Sequence, residues 1–399
     1  MNIGLDARTI FSPRPRGTGR NLADAFRLLP ELRPDWTFTL YHHRPVEECP
    51  LLSGPGALPL RMNVRSRRLN VPGDRYDTWF QVGLPLAARW DGVDLLHLPA
   101  NAAPAWCPVP YVATIHDLIP LKVAGEATLA EQKRFRTGVL RAVRRAAHVI
   151  TPSFATRNEL CTEFGVDPER ISVIPWAPDN AMLAYGAGGL ADDAACAVRE
   201  RYGITRPWLV NFSGGSRRKN ATAVLAALAR LSPELRGQHQ LVLVGCSPEP
   251  VRRDLAALAE RLGVSDDCRI LGFVPHEDLP PLLAGSRALL IPSLCEGFGL
   301  PILDAFATGV PVLAAAGGSL EEVAGEAAVY CDPTSPESIA AGLAEVLRAE
   351  VSARLVAGGR ARVQAFTWER TARAMGEVYS RAVAAAGRSP VAQEVLQCR

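Results

Sequence analysis

The sequence lacks several features that would place it in a specialised class of protein. No run approaches the roughly 18 apolar residues of a membrane span, and the N-terminus, MNIGLDARTI, lacks the basic segment and apolar stretch of a secretory signal. Nine cysteines occur without a Cys-x-x-Cys pair, which argues against a zinc cluster or a disulfide framework. A net charge of +3 does not call for nucleic acid. We therefore expect an unprocessed cytoplasmic protein without a nucleic-acid partner.

Short apolar segments alternate with longer segments of helical period, which is typical of a parallel sheet covered by helices. The first series of predicted strands is MNIGLDA, TFTLYHH, DLLHLP, YVATIHD, HVITPS and ISVIP. A Gly-, Ala-, Asp- and Pro-rich break follows over residues 176–194. The alternation then restarts with PWLVNFSGGSRRKN, QLVLVG, CRILGFV, RALLIPS, VPVLAA and AAVYCD. Because 399 residues exceed the usual single core, we predict two doubly wound α/β domains in tandem.

Ligands of open parallel sheets bind at the carboxyl ends of the strands, so the residues after each strand are the candidates for a site. The first such segment is Gly17-Thr18-Gly19-Arg20, between the first strand and the first helix. Its glycines permit close backbone approach, and the following helix N-terminus attracts anions. The segment is consistent with a phosphate-binding loop and equally with a flexible surface turn.

The second candidate is His116, which follows an apolar strand and precedes Asp117. An imidazole at that position can face an interdomain cleft, or it can simply cap a turn. The third candidate is the cationic run Arg217-Arg218-Lys219, at the start of a predicted helix. Cations are disfavoured by the dipole at that end of a helix, so a bound anion such as a diphosphate would account for them. A solvated basic turn is the alternative, and the spacing excludes a Walker A loop.

The fourth candidate lies between the predicted strands RALLIPS and VPVLAA. Glu296 stands in the turn, Pro301 fits the first position of the next helix, and the amides of Gly299 and Leu300 are expected at its N-terminus. Helical side chains lean toward the N-terminus, so Asp304 is predicted to return its carboxylate to the same pocket. Two carboxylates and bare amides suit sugar hydroxyls. The alternative is that Glu296 pairs with a neighbouring cation and Asp304 caps its own helix.

The stretch EGFGLPILDAFATGVPV, residues 296–312, resembles the signature of family 4 glycosyltransferases, retaining enzymes of the GT-B fold. That signature has two glutamates separated by seven residues, then a helix of small residues and a Gly-x-Pro-Val strand. The likeness covers nearly the whole chain and is weakest between residues 41 and 90. It implies two Rossmann-like domains facing a cleft, the acceptor-binding domain over 1–180 and the nucleotide-sugar donor-binding domain over 195–365. A C-terminal helix, 366–387, would return to the N-terminal domain.

The resemblance also implies roles for individual residues. Glu296 would hold the hydroxyls of the donor sugar, and His116 would contact the transferring sugar, which makes these two the candidate catalytic residues. The family's second acid, usually glutamate, binds the ribose, and in this chain it is the shorter Asp304. The basic pair that binds the diphosphate matches Arg218 and Lys219. The implied donor-binding residues are Gly17, Gly19, Arg218, Lys219, Gly297, Phe298, Gly299, Leu300 and Asp304.

The reaction implied by the resemblance is transfer of a sugar from a nucleoside diphosphate to a glycan or lipid-linked acceptor hydroxyl, in polysaccharide or glycoconjugate assembly. HDLIPL resembles a branch rich in mannosyltransferases, so GDP-mannose is the first candidate donor. The chain shows no clustered Asp-x-Asp after a strand and no His/Cys ligand set. We therefore expect no metal and no cofactor besides the nucleotide sugar. The alternatives are a non-catalytic nucleotide-sugar-binding protein and a sugar-nucleotide 2-epimerase of similar fold.

A basic amphipathic helix is predicted over residues 131–150. One face carries the cations Lys133, Arg134, Arg141, Arg144 and Arg145. The other face carries Phe135, Val139, Ala142, Val143 and Ala146. Packing of the apolar face on its own sheet explains this pattern, and the basic face suits an anionic membrane surface or a pyrophosphate-linked lipid acceptor. The second reading implies a peripheral position at the inner face of the membrane.

Overall fold

The computed structural model describes residues 1–12, 17–49, 51, 61–73, 75–188, 192–247 and 249–387. The chain forms two compact units. The first comprises Met1–Leu121, Ala127–Trp176 and the chain from Thr367 onward, and the second comprises Lys122–Glu126 and Ala177–Phe366. The division after Trp176 falls at the start of the 176–194 segment in which the sequence places the boundary. The second unit also includes five residues, 122–126, that the sequence assigns to the first domain.

The first unit is built on a seven-stranded parallel sheet of order β3-β2-β1-β4-β5-β6-β7. Most of its strand residues are buried, because helices cover both faces of a sheet of this type. The strands are β1 (Asn2–Asp6), β2 (Thr37–His42), β3 (Val64–Arg68), β4 (Leu95–Leu98), β5 (Tyr111–Thr114), β6 (His148–Thr151) and β7 (Ile171–Val173).

Helices connect and cover these strands. They are α1 (Gly17–Leu32), α2 (Leu84–Trp90), α3 (Ile119–Lys122), α4 (Leu129–Arg145), α5 (Phe154–Phe164) and, from the end of the chain, α16 (Trp368–Gly387), with a π-helix at Arg75–Gly83 and 3₁₀ turns at Val46–Glu48 and Pro168–Arg170. Helix α16 packs along α1. The Tyr379 hydroxyl lies 2.7 Å from Nδ1 of the buried His97 in β4. The predicted return of the C-terminal helix to the first domain is therefore confirmed.

One local prediction for this unit is wrong, and one strand of its sheet was not predicted. The basic helix does not extend over 131–150. It begins after Thr128, whose side chain forms a capping box with Glu131, and ends at Arg145, because the buried segment from His148 forms strand β6. Strand β3 was not among the predicted strands. Its sequence, VRSRR, is too polar to indicate a strand, and such charged residues suit a strand at the edge of a sheet.

The second unit is built on a six-stranded parallel sheet of order β10-β9-β8-β11-β12-β13. Each strand falls within a segment that the sequence predicts. The strands are β8 (Trp208–Asn211), β9 (Gln240–Leu243), β10 (Cys268–Ile270), β11 (Ala288–Ile291), β12 (Val312–Ala315) and β13 (Ala328–Cys331).

The helices of this unit cover its sheet with a continuous apolar core that includes Leu225, Leu241, Leu290 and Leu343. They are α6 (Asn180–Ala187), α7 (Asp192–Arg201), α8 (Ala221–Arg230), α9 (Pro233–Gln238), α10 (Glu249–Arg261), α11 (Leu279–Ala284), α12 (Leu300–Thr308), α13 (Gly318–Ala324), α14 (Pro336–Val346) and α15 (Ala349–Val363). Single 3₁₀ turns occur at Arg217–Lys219, Ser265–Asp267, His276–Asp278 and Gly325–Ala327.

Both sheets are parallel and doubly wound, so the predicted α/β fold class is confirmed. Over the described ranges, none of the helices combines the length and the apolar character that crossing a bilayer would require.

Candidate functional site

The connection from β11 to α12 forms the centre of the candidate site in the second unit. Gly299 is the N-cap of α12 with φ of 112°, a conformation that L side chains rarely adopt. The helix begins at Leu300, so Pro301 is its second residue, one later than predicted. Pro301 has no N–H, and the Ile302 N–H donates to the Gly299 carbonyl at 2.9 Å. The amides of Gly299 and Leu300 are therefore the donors that this helix N-terminus can offer to a ligand.

The residues before α12 are held by their surroundings. The Phe298 side chain is buried and packs edge-on against Phe366 with ring centroids 6.2 Å apart. Any ligand contact of Phe298, or of the adjacent Gly297, therefore involves the main chain. The Ser319 hydroxyl in α13 donates to the Glu296 carbonyl at 2.8 Å. Ser319, which sequence reasoning missed, thus fixes the backbone that presents Glu296.

Glu296 forms ion pairs with two cations of the site. Its Oε1 lies 2.6 Å from Lys219 Nζ and its Oε2 lies 2.6 Å from Arg218 Nη1. Only 9 % of the Glu296 side chain is exposed. Burial alone would raise the pKa of this carboxyl, but the charges of Lys219 and Arg218 outweigh burial and lower it. Glu296 is therefore ionised and paired with two cations, as in the ion-pair alternative raised from the sequence.

The cations stand on a rigid turn. Asn220 has φ of 61°, and its side-chain amide donates to the carbonyls of Pro292 at 3.0 Å and Pro333 at 2.7 Å. The Leu294 N–H donates to the Arg218 carbonyl at 2.8 Å. These bonds tie the turn that carries Arg218 and Lys219 to the loop that leads to Glu296. An anion was expected beside these cations, and in the structure that anion is a carboxylate of the chain itself.

The surroundings of Asp304 differ from the pocket shared with Glu296 that the sequence predicts. Its Oδ1 accepts a 2.9 Å hydrogen bond from the Asp179 N–H, and the Asp179 side chain in turn lies 2.7 Å from Nε2 of His276. Burial, and secondarily the negative charge of Asp179, raise the pKa of Asp304 to about 7 despite the hydrogen bond that opposes them. Asp179 also caps α6 through a 2.8 Å bond from the Ala181 N–H. The cap was readable from the sequence, but its contact with Asp304 was not.

Glycines after β8 and β9 allow the main chains of the two connections to lie close together, a feature that was not predicted from the sequence. Gly214, Gly215 and Gly245 have φ of 58°, 71° and 78°. A Cβ on Gly215 would lie 2.1 Å from the Ser247 carbonyl oxygen, and one on Gly245 would lie 3.2 Å from the Gly214 Cα. A side chain is therefore excluded at Gly215, and the positive φ disfavours one at Gly214 and Gly245. Glycines directly after predicted strands, in SGG and VG, were the available signal.

His116 lies at the carboxyl end of β5 in the first unit. Its Nε2 is 2.7 Å from the Pro99 carbonyl, and its own N–H donates to the Asn101 side chain at 2.6 Å. The imidazole stacks on Trp176, with centroids 5.9 Å apart. Burial lowers the pKa of His116, against smaller opposing effects of the Pro99 carbonyl and Asp117. The ring is therefore neutral, with the proton on Nε2 and an acceptor at Nδ1.

The glycine segment after β1 differs from its prediction. Gly17 and Gly19 lie in the first turn of α1 instead of in a loop, and residues 13–16 of the preceding segment are outside the described residues. A Cβ on Gly19 would lie 2.2 Å from the Thr9 carbonyl oxygen, whereas Gly17 is exposed and has open space. Gly19 is thus required for packing of α1 against the chain after β1. Both glycines follow β1 at the same sheet edge at which His116 follows β5.

The structure thus joins three predicted residues, Arg218, Lys219 and Glu296, in one cluster beside the N-terminus of α12. Asp304 is placed instead with Asp179 and His276, while His116, Gly17 and Gly19 belong to the other unit. No group of three or more His, Cys, Asp or Glu residues suited to hold a metal ion occurs within the part of the chain that the structure describes.

Comparison with known proteins identifies two matching families. Residues 199–362 match Glycosyl transferases group 1, and residues 49–179 match Glycosyltransferase Family 4. Among curated proteins, D-inositol 3-phosphate glycosyltransferase of Salinispora arenicola is 33% identical over 307 residues, which cover 73% of this chain and 67% of that protein. MMP alpha-(1->4)-mannosyltransferase of Mycolicibacterium hassiacum is 30% identical over 291 residues, covering 69% of this chain and 66% of that protein.

Solved structures share the fold at lower identity. Sucrose-phosphate synthase from Thermosynechococcus elongatus superposes with a TM-score of 0.74 at 22% identity, covering 96% of this chain and all of that one. HepE from Anabaena, in complex with UDP-glucose, gives a TM-score of 0.73 at 20% identity, covering 95% of this chain and 99% of that one.

Proposed function

The chain belongs to the group 1 glycosyl transferases of family 4, with the GT-B fold, and from this premise we propose that it transfers a sugar from a nucleoside diphosphate to an acceptor hydroxyl with retention at the anomeric carbon. The observation that carries the proposal is the buried contact of Glu296 with both Arg218 and Lys219. Two cations at a helix N-terminus form an anion site, and a carboxylate beside them can bind sugar hydroxyls.

The proposed chemistry requires departure of a diphosphate. Arg218 and Lys219 would exchange the Glu296 carboxylate for the diphosphate and stabilise the charge that develops on it, together with the Leu300 amide. Glu296, released from its cations, would then accept hydrogen bonds from hydroxyls of the donor sugar. These cations supply the positive charge that a metal ion would otherwise provide, so we propose a metal-independent enzyme that needs no cofactor besides its nucleotide sugar.

Other residues have supporting roles in this proposal. The neutral His116 would contact the transferring sugar through Nδ1, its acceptor nitrogen. Asp304 would bind the ribose hydroxyls, and Gly17 and Gly19 would lie beside the phosphates through the start of α1. Gly297, Phe298 and Gly299 would contact the donor through main-chain atoms.

The donor and acceptor are proposed from the similar proteins. One relative is named a mannosyltransferase, and the HepE structure contains UDP-glucose. The HDLIPL sequence resembles that of mannosyltransferases, so we propose GDP-mannose first and UDP-glucose as its competitor. The acceptor would be a glycan or a lipid-linked sugar in polysaccharide or glycoconjugate assembly.

A thermal-shift panel of GDP, UDP and ADP, with and without EDTA, tests the nucleotide and the metal independence. A ligand at 100 times its Kd stabilises the fold by about 2.7 kcal/mol, so one nucleotide should raise the unfolding temperature while EDTA leaves that rise unchanged. Release of nucleotide from the matching sugar donor then tests turnover. Binding without release indicates the non-catalytic alternative, and conversion of the donor sugar into its 2-epimer indicates the epimerase. Absence of any nucleotide effect would contradict the proposal.

We also propose that the first unit rests on an anionic membrane surface at the inner face of the membrane. The cations of α4 face solvent, as predicted for Lys133, Arg134, Arg141, Arg144 and Arg145. The structure adds an apolar component beside them: Val82, Leu86 and Trp90 recur every fourth residue along α2 and its preceding turn and are at least half exposed, as is Trp106.

These two components are adjacent. The Ala105 N–H donates to the Gln81 side chain at 2.8 Å, and the Ala105 carbonyl accepts from the Arg145 guanidinium. Ala105, the residue before Trp106, thus joins the turn before α2 to the end of α4. Exposed tryptophans beside clustered cations suit the interface of an anionic bilayer.

Sedimentation with vesicles of phosphatidylglycerol or phosphatidylcholine tests this surface. The protein should sediment with the anionic vesicles only, and the double variant Trp90→Ala/Trp106→Ala should lose this binding while release of nucleotide from a soluble donor is kept. Leu183→Ala, at an exposed apolar residue of α6 in the second unit, is the control. Unchanged sedimentation of the tryptophan variant would contradict the proposal.

A further inference from the structure

A second carboxylate, that of Glu126, holds the cationic turn. Glu126 precedes this turn in the chain, whereas Glu296 follows it. The five residues 122–126, which begin with the last residue of α3 and precede α4, belong to the second unit. Oε1 of Glu126 accepts hydrogen bonds from the Ser216 hydroxyl at 2.6 Å and from the Arg218 N–H at 2.8 Å. The Arg217 guanidinium lies against the adjacent Gly125. Glu126 is not one of the family residues that the sequence identified.

The geometry of this contact is that of an N-cap. Residues Arg217–Lys219 form a 3₁₀ turn whose N-cap is Ser216, and the Ser216 side chain makes no capping bond within the turn. Glu126 supplies the missing acceptor from elsewhere in the chain, because its carboxylate oxygen receives the Arg218 N–H. The same oxygen orients the Ser216 hydroxyl. One atom therefore fixes the start of the turn whose side chains face Glu296.

Two consequences of Glu126 for an anionic ligand have opposite signs. Its negative charge repels a diphosphate, so removal of the charge would favour binding. Its acceptor oxygen holds the main chain that presents Arg218 and Lys219, so removal of the acceptor would disfavour binding. The cations need a fixed position to act on one diphosphate, and the acceptor makes two short bonds. The acceptor role is therefore expected to dominate.

We infer that Glu126 is a positioning residue of the donor site, acting through the main chain of the 216–219 turn as its external N-cap. This inference rests on the proposed function, because it assigns the turn to a nucleoside diphosphate. It predicts that nucleotide binding depends on the side-chain oxygen of residue 126 and does not require its charge.

The test compares Glu126→Ala with Glu126→Gln in titrations of GDP and UDP. Alanine removes the acceptor and should weaken the nucleotide that the wild type binds by about 2- to 30-fold, the range for loss of an N-cap side chain. Glutamine keeps the oxygen without the charge and should bind as tightly as the wild type or more tightly. The corresponding nucleoside, which lacks phosphates, should bind all three proteins equally. Glu260→Ala, which removes an exposed carboxylate from α10 in the same unit, is the matched control.

Hydrogen exchange separates this inference from the proposed function. Without nucleotide, the Arg218 amide should exchange faster in Glu126→Ala than in the wild type or in Glu126→Gln. If that holds but the wild type binds neither GDP nor UDP, the N-cap contact stands and the assignment of the turn to a nucleotide fails. If alanine binds nucleotide as tightly as the wild type, or if glutamine is as weak as alanine, the positioning role of Glu126 is wrong.

Discussion

The two acids at the ends of one short segment, Glu296 and Asp304, occupy opposite electrostatic environments. Glu296 lies between Lys219 and Arg218, and these cations lower the pKa of its carboxyl in spite of its burial. Asp304, eight residues later and within α12, lies against Asp179, and burial raises its pKa to about 7. The first acid is thus firmly charged near neutral pH, and the second changes its charge there.

This difference shows that the seven-residue spacing defines the position of two carboxylates but not their charge. The charge is decided by what the fold brings to each of them. Glu296 receives cations from the turn after β8, whereas Asp304 receives the N-cap of α6, 125 residues away in sequence. The comparison predicts that substitutions around Glu296 act on the chemistry, while substitutions at Asp304 act on nucleotide affinity and on pH dependence.

The largest effect is expected for Lys219→Ala. Loss of one charge-stabilising donor lowers turnover by roughly 10²-fold or more in comparable sites, and Lys219 contacts the carboxylate at the centre of the cluster. The measurement is the rate of nucleotide release from the sugar donor at saturating concentration. Arg230→Ala, which removes an exposed cation of α8 paired with Glu337, should leave the rate nearly unchanged. Retained activity in Lys219→Ala would remove that residue from the site.

A more selective effect is expected for Glu296→Gln. Glutamine cannot match the charge of the carboxylate toward the sugar hydroxyls, so transfer should fall by roughly one to two orders of magnitude. Free nucleoside diphosphate should bind as well as before or better, because the anion that competes for Arg218 and Lys219 has gone. Rate measurement and nucleotide titration on the same preparation give the two quantities. Equal loss of free-nucleotide binding would show that Glu296 serves the other half of the donor.

The sequence predicted the buried parts of the fold and missed the parts whose determinants are not local. All six strands of the second sheet are apolar segments between turn signals, and each was predicted. Strand β3 escaped because its VRSRR sequence is that of an exposed basic segment, and only pairing with β2 makes it a strand. The helix predicted over 131–150 overlaps the predicted strand HVITPS, and in the structure the shared residues from His148 onward belong to the strand, β6.

The candidate site was also predicted only in part, because its local signals can be recognised in the sequence and its contacts between distant segments cannot. The spacing of Glu296 from the helix start, and the unusual cations before α8, are local signals that identified one cluster. Contacts between distant segments left no such signal. The pairing of Asp304 with Asp179, and the bond from Glu126 to the cationic turn, join residues about 90 or more positions apart.

An intermediate effect is expected for Asp304→Ala. If the carboxylate binds the ribose, its loss should weaken the nucleoside diphosphate by about 1.5 to 3 kcal/mol, the range for hydrogen bonds to a charged group. Asp304→Glu should bind as tightly or more tightly if the pocket accommodates one more methylene. Overpacking would instead destabilise the variant by about 1 to 3 kcal/mol. Titration of folded protein provides the comparison. Wild-type affinity in Asp304→Ala would leave Asp304 with no role at the ribose.

The smallest effect is expected in the pH dependence of stability, and it isolates the charge of Asp304. A carboxyl whose pKa is raised on folding contributes stability that is fully present below its unfolded pKa and is lost as the pH rises through its folded pKa, here about 7. Asp304→Asn keeps the oxygen that accepts the Asp179 N–H and never becomes charged. Its neighbour Asp179, and His276 beside Asp179, are the same in both proteins.

The unfolding temperature of Asp304→Asn relative to the wild type should therefore increase from about pH 5 to about pH 8. Asp254→Asn, at an exposed position of α10, is the matched control and should show little such trend. If the difference between Asp304→Asn and the wild type is constant over this range, Asp304 does not change its charge between about pH 5 and about pH 8. It would then keep one charge state near neutral pH, as Glu296 does, and the contrast between the two acids would lie in their partners.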